Sequence, residues 1–324
     1  MSKMVKVIAG LMGGSVASGA PAVSSPDSLR SMLSLLQKHN VSELDTARVY
    51  NGGKSEETLG LVSTDVTNRF LIATKVPGFE GGSLSYDKVI ASCDASLKAL
   101  QVEKIGLYYF HGPDRTTSLE KSCRAIHELH RSGKIKAFGV SNYRADEVQE
   151  IYDLCTRSGW ILPTVYQGGY NALTRGAETK LFPTLRKLGM AFYAFSPLAG
   201  GFFSRPTAQL RGPAQEGSRM HAMPVFQSMY VNETSLALHE KLAKVCEEPG
   251  MGMKEATLRW ILHHSGLGEE DGVILGASSE TQMEENLMAC EAGPLEERVV
   301  EGFESLWREW GEDGRNEGRL WYSV

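Results

Sequence analysis

Eight short apolar runs are spaced along the chain, separated by longer segments of different periodicity. They are MVKVIAGLM near the start, ELD at 43–45, FLIATKV at 70–76, KIGLYYFH at 104–111, KAFGVS at 136–141, TVYQGGY at 164–170, MAFYAFSP at 190–197 and DGVILGA at 271–277. They are rich in Val, Ile, Phe and Tyr, and most stop at Gly, Pro, Asn or Ser, as strands do. Apolar content this continuous fits strands covered on both faces, as in a parallel sheet. Helical spacing fills most of the intervals. Leu29, Leu33 and Leu36 recur at three and four residues behind the capping sequence Ser25-Pro26-Asp27. Val89, Ile90, Cys93, Leu97 and Leu100 form one stripe. Leu119, Cys123, Ile126 and Leu129 form a second, closed by Gly133, and Val148, Ile151, Leu154 and Cys155 a third.

Alternating strands and helices imply a parallel sheet with right-handed crossovers. Eight such units suit a closed (β/α)8 TIM barrel. The competing fold, a doubly wound open sheet, would carry GxGxxG after its first strand when it binds a dinucleotide. GLMGGSVASG has the glycines, but no helical pattern follows at once. With no linker, repeat or low-complexity tract, residues 1–324 are read as one barrel domain. The stretch from Pro197 to about Asn232 lacks periodicity and reads as a long loop after the seventh strand, mobile until it closes on a ligand.

Composition narrows the function. A net charge of −5 and a pI near 6.0 give no basic footprint for nucleic acid. No apolar stretch approaches the ~20 residues of a membrane helix. The N-terminal run reads as the first strand and not as a signal peptide. Cys93, Cys123, Cys155, Cys246 and Cys290 are odd in number and without a CxxC pair, which points to reduced thiols in the cytoplasm. No metal ligand set is assigned.

The chemistry gathers in four residues. Asp45 and Tyr50 lie in SELDTARVYNGGKSEETLG, Lys75 near the end of FLIATKV, and His111 at the end of KIGLYYFH. At the C-terminal ends of barrel strands, a carboxylate, a phenol, an ammonium and an imidazole make a proton-donating site for a reaction in which a carbonyl oxygen gains negative charge. Taken singly, each has a structural reading: a strand-end cap, a loop aromatic, a snorkelling lysine, a core histidine.

LDTARVYNGGKSEETLG, IATKV, YYFHGPD, GVSNY, VYQGGYN, AFSPLAGG and GASSETQMEEN resemble, in this order, the blocks of the aldo-keto reductase family. SPLAGG, HGPD and the Ser/Gln segment near residue 278 are most similar to its aflatoxin-aldehyde reductase branch and fungal relatives. The resemblance implies NADPH-dependent reduction of an aldehyde or ketone. Tyr50 is then the proton donor. Lys75 lowers its pKa, Asp45 fixes Lys75, and His111 orients the carbonyl or assists the proton relay. It also implies cofactor contacts from Ser141, Asn142 and Gln167 at the nicotinamide carboxamide, Phe195 stacked on the ring, and Ser196, Pro197, Leu198 and Gly200 around the pyrophosphate. Arg219 is assigned to a phosphate. Gly276, Ser278, Ser279, Gln282, Glu285 and Asn286 are assigned to the adenosine end, where this chain lacks the Lys or Arg that many relatives place at the 2′-phosphate. Arg205 and Arg211 read equally well as solvated loop charges.

Met12, Tyr109, Phe226 and Tyr230, with Phe79, are candidates to line the substrate pocket, and Phe79 and Tyr109 read equally well as core. A C-terminal tail from Trp307 onward is expected to close over it, with Arg315 or Arg319 available to a substrate carboxylate. The expected partner is a small carbonyl compound. A homodimer is allowed by this reading and not required by it. Two other functions share the same blocks: a regulatory binding protein like the potassium-channel β subunits, and an alcohol dehydrogenase working in the oxidative direction.

Overall fold

The computed structural model describes residues 5–12, 25–247 and 250–312. Its strands are β1 (Lys6–Gly10), β2 (Glu43–Asp45), β3 (Leu71–Val76), β4 (Ile105–Phe110), β5 (Ile135–Ser141), β6 (Pro163–Gly169), β7 (Ala191–Phe195) and β8 (Gly272–Leu275). All pair in parallel with their sequence neighbours, and β8 closes on β1 with Val273 opposite Val7. The fold is therefore a closed (β/α)8 barrel, as the alternation of elements implies.

The α-helices, in chain order, are α1 (Pro26–Lys38), α2 (Lys54–Gly60), α3 (Ser63–Val66), α4 (Tyr86–Leu100), α5 (Leu119–Arg131), α6 (Ala145–Ser158), α7 (Leu181–Leu188), α8 (Thr207–Leu210), α9 (Arg219–Ala222), α10 (Pro224–Tyr230), α11 (Glu233–Glu247), α12 (Met253–His263), α13 (Glu280–Glu291) and α14 (Glu297–Glu312). The stripes read from the sequence are the faces that α1, α4, α5 and α6 bury against the barrel. Ser25 caps α1 through its hydroxyl, which accepts from the Ser28 N–H. No helix among the described residues is long and apolar enough to cross a membrane.

The barrel has two apolar layers. A large one lies between strands and helices. A smaller one fills the interior with Ile8, Ala73, Leu107, Tyr109, Val165, Tyr193 and Ile274. The interior is thus a packed plug, and the strand ends above it are the floor on which a site can be built.

Two expectations change. The segment after β7 is not a structureless loop: a 3-10 turn over Ala199–Ser204 leads into α8, α9 and α10. These pieces span four to seven residues, too short to print a helical period. They are held by packing of Phe202, Phe203, Leu210, Met220, Phe226 and Tyr230 into the main core. Likewise Trp307 and Trp310 belong to α14, which packs on α11 and α12 along the outside of the barrel, with Trp310 buried. The part of the expected tail that reaches residue 312 therefore supports the wall instead of covering the site. Arg315 and Arg319 lie outside the described residues.

Candidate active site

Asp45 ends β2, Lys75 sits near the end of β3, and His111 follows β4 directly. Successive strand residues alternate between the two faces, so Lys75 turns into the barrel while Thr74 turns toward the helices. Lys75 is fully buried. Its Nζ donates to Asp45 Oδ2 and to the Thr46 carbonyl, both at 2.7 Å. The other Asp45 oxygen accepts from Gln167 Nε2 at 2.7 Å, across the barrel from β6. Tyr50 stands over this pair in a 3-10 turn, with Lys75 Nζ 5.1 Å from its ring centroid. His111 meets the Tyr50 ring edge-on at 5.9 Å.

These contacts decide the charge states. Burial pushes the Lys75 ammonium down, but Asp45 and Tyr50 more than offset it, so the pKa stands above its ordinary value and Lys75 stays charged. Burial raises the Tyr50 phenol. Lys75 pulls it down and Asp45 pushes it up, with burial dominant and a net rise. Lys75 thus acts in the expected direction without bringing the phenol below its usual range. Burial, seconded by Lys75, pushes His111 down to about 3. His111 is a neutral imidazole, suited to orienting a carbonyl by hydrogen bonding and not to relaying a proton.

The ends of β5 to β8 carry a different set of groups. Ser141 and Asn142 follow one another at the end of β5, Asn142 with φ +64°. The Asn142 amide donates to the His111 carbonyl at 2.9 Å and to Ser141 Oγ at 3.0 Å, which leaves its buried Oδ1 without a partner. Phe195 packs against the top of the interior cluster. Beyond it Ser196, Ala199, Gly200 and Gly201 all have positive φ, and the turn is closed by the Ala199 N–H on the Ser196 carbonyl at 3.0 Å and the Gly201 N–H on the Leu198 carbonyl at 2.9 Å. Gly200 allows no side chain here, since a Cβ would lie 2.7 Å from the Phe226 ring. After β8, Ser279 caps α13, and Asn286 is buried with an unpartnered Oδ1.

The chain matches the profile of the aldo/keto reductase family over residues 8–308. The chain belongs to the aldo/keto reductase family. It is 43% identical over 281 residues to oxidoreductase sirO of Leptosphaeria maculans, covering 86% of this chain and 85% of that protein. It is 43% identical over 284 residues to aflatoxin B1 aldehyde reductase member 2 of Mus musculus, covering 82% and 76%. It is 42% identical over 284 residues to aflatoxin B1 aldehyde reductase member 4 of Homo sapiens, covering 82% and 84%. Aldo/keto reductases are oxidoreductases that use a nicotinamide cofactor and act on small carbonyl compounds. The groups on the β5–β8 side suit such a cofactor: a buried acceptor at Asn142 for a carboxamide N–H, an aromatic wall at Phe195, and a second buried acceptor at Asn286.

Within this aldo/keto reductase frame several expected contacts move. Arg219, expected to contact a phosphate, packs near Tyr50: its Nη1 lies 3.1 Å from Met12 Sδ, its pKa is lowered by burial, and its charge acts on the Tyr50 phenol. Arg205 is the loop cation that suits phosphate. It lies beside Gly201, is partly desolvated, and has no carboxylate partner among the described residues, whereas Arg211 is held by Glu233 and Glu240. Nothing in the sequence separates these two arginines.

Tyr109 does not line a pocket. It lies inside the barrel plug, 5.7 Å below Lys75 Nζ, with its ring against Gly139. Phe226 and Tyr230 are buried behind the β7 loop: Phe226 buttresses Gly200, and Tyr230 shares the Asn171 amide with the Ser196 carbonyl. Met12 and Phe79 do reach the mouth. Phe79 is 58% exposed, holds φ +73°, and lies 6.0 Å from the His111 ring. Ser278, Ser279 and Gln282 bond to one another, and Glu285 is paired with Lys254 at 2.6 Å. Gly276 is exposed at the end of β8.

Proposed function

We propose that the chain is an NADPH-dependent reductase of aldehydes or ketones in which Tyr50 gives the proton. The observation that carries this reading is the buried Lys75, bonded to Asp45 and the Thr46 carbonyl, beneath the half-buried Tyr50. A lysine so buried serves as a fixed positive charge, and Tyr50 is the acidic group above it open to a substrate. The bound dinucleotide supplies hydride. As charge builds on the substrate oxygen, Tyr50 transfers its proton and Lys75 stabilises the phenolate left behind. His111, neutral at pKa about 3, donates a hydrogen bond to the same oxygen and fixes its direction.

On the cofactor side, Asn142 Oδ1 receives the carboxamide amino group, and Ser141 and Gln167 complete that pocket. Gln167 is already engaged by Asp45 through its amide nitrogen, so its carbonyl oxygen is the atom it can offer. Phe195 bounds the nicotinamide ring. Ser196 to Gly200 and Arg205 hold the phosphates, and Gly276, Ser278, Ser279, Gln282, Glu285 and Asn286 surround the adenosine. Met12, Phe79 and Arg219 form the mouth. The guanidinium of Arg219, with methionine sulfurs as its neighbours, favours a substrate with negative charge near the carbonyl. Five cysteines without a disulfide fit a cytoplasmic setting.

NADPH oxidation measured against aldehydes, dicarbonyls and ketones, each with and without a carboxylate, tests the reading. Turnover should be fastest with an anionic aldehyde. Tight NADPH binding with no turnover of any of them would favour the regulatory binding protein instead.

A further inference from the structure

We propose that Arg48 and Glu56 form a clamp behind the active site that sets the position of Tyr50. The inference rests on Tyr50 being the proton donor and concerns what holds it there. Tyr50 opens a turn with little regular hydrogen bonding of its own. The three residues after it, Asn51, Gly52 and Gly53, are all left-handed, with φ of 50°, 64° and 95°. Gly and Asn reach this region readily but reach others as well, so side chains select which conformation the run keeps.

Arg48, two residues before the phenol, folds its guanidinium flat across Gly53, where a Cβ would collide with it. Its Nη1 donates to the Gly53 carbonyl at 3.2 Å and to Glu56 Oε2 at 2.8 Å, and its Nη2 donates to Glu57 at 3.3 Å. Glu56 has no exposed surface, and its Oε1 accepts from Thr74 Oγ1 at 2.6 Å. Thr74 is the neighbour of Lys75 on β3. One unbroken path therefore joins the turn that carries the phenol to the strand that carries the ammonium. It runs on the helix side of the sheet, away from substrate and cofactor.

The choice of groups argues for position over stability. Glu56 is fully buried and Arg48 only partly; such a pair rarely stabilises more than a well-packed apolar pair, but it is intolerant of displacement, because moving Arg48 strands a buried carboxylate. Asn51 secures the far side by donating to Ser55 Oγ at 3.0 Å and to the Met12 carbonyl at 3.2 Å. Arg48 and Glu56 are positioning residues that act through Tyr50.

The test is a double-mutant cycle. Arg48→Met in the wild-type background should lower kcat roughly 10- to 100-fold, the scale of a misplacement of about 1 Å. The Kd for NADPH should stay within about twofold, since the clamp touches no group on the cofactor side. The solvent deuterium isotope effect on kcat should rise as proton transfer becomes limiting, and Arg48→Lys should recover most of the loss. In a Tyr50→Phe background, Arg48→Met should cost less than about twofold, because the group it positions is gone.

A folded Arg48→Met enzyme with normal kcat, or the same fractional loss in both backgrounds, overturns the clamp while leaving the function intact. Near-normal turnover of Tyr50→Phe alone removes the proton donor and the clamp with it. Should Arg48→Met not fold, the neutral pair Arg48→Met/Glu56→Gln, which buries no charge, takes its place in each comparison.

Discussion

The two halves of the barrel mouth are built on opposite plans. Over β2 to β4 the charged groups are satisfied within the chain: Asp45 by Lys75 and Gln167, Lys75 by Asp45 and Thr46, Glu56 by Arg48 and Thr74. Over β5 to β8, Asn142 Oδ1 and Asn286 Oδ1 are buried without partners among the described residues, and Arg205 has no anion among them. Unpaired buried acceptors cost free energy, and a ligand that satisfies them recovers it. On the proposed function, the proton-donating half is complete before anything binds, whereas the other half is completed by its ligand. Gln167 belongs to both, as a β6 residue whose amide nitrogen is committed to Asp45.

The sharpest way to break the comparison is to disable the finished half alone. Tyr50→Phe should cut turnover by about two to four orders of magnitude, the usual scale of general acid catalysis, and leave the Kd for NADPH nearly unchanged. Stopped-flow turnover beside a fluorescence titration measures both. A large loss of cofactor affinity would show that the halves are not separable.

Lys75→Met and Asp45→Asn come next, and they should part in sign. Lys75 pulls the Tyr50 pKa down and Asp45 pushes it up. Removing the ammonium should therefore move the basic limb of the kcat profile to higher pH. Asp45→Asn should move it lower while Lys75 stays protonated, with the smaller loss of rate. Lys75→Met also strands Asp45 in the interior with Gln167 alone, so urea unfolding should show a loss of about 3–5 kcal/mol. Limbs that move together would mean that Asp45 acts on Tyr50 only through Lys75.

What the sequence shows and hides follows the same division. The eight strands are legible because each is a short apolar run that needs no distant residue to define it. Asp45, Lys75 and His111 are legible because each closes such a run. The β7 segment is not, because α8, α9 and α10 are too short to show a period and depend on long-range packing, such as Phe226 on Gly200. Arg48 looks like an exposed loop charge until the left-handed turn at Gly53 brings it onto Glu56. Arg205, Arg211 and Arg219 differ only in what surrounds them. Tyr109 and Tyr230 carry polar tips that suggest a pocket, yet both are buried.

The ligand-completed half predicts a moderate cofactor preference. Ser278 already gives its N–H and hydroxyl to Gln282, and Lys254 is held by Glu285. A 2′-phosphate at this end would meet neutral donors, which bind it less strongly than an unpaired Arg. NADH should bind more weakly than NADPH by roughly 10- to 100-fold, or about 1.4–2.8 kcal/mol. Arg205→Ala should weaken both cofactors by a similar factor, as expected of a pyrophosphate contact. Loss confined to NADPH would move Arg205 to the 2′-phosphate, and equal affinities in the wild type would remove the NADPH assignment.

The smallest expected effect lies at His111, on the boundary between the halves, where its carbonyl accepts from Asn142 and its ring faces Tyr50. Its pKa is about 3 in the folded chain, against about 6.5 when unfolded. Between those values the unfolded chain binds the extra proton, so the stability contributed by neutral His111 is present above about pH 6.5 and is lost as pH falls toward 3. At pH 5.5 the loss is about 1.4 kcal/mol. Acidification from pH 7.5 to 5.5 should therefore destabilise the wild type more than His111→Gln by that amount, measured by urea unfolding at the two pH values. The kcat profile should show no limb near 6.5. A limb there, or equal acid sensitivity in the two proteins, would mean that His111 is protonated in the working enzyme, and the proton relay would return as its role.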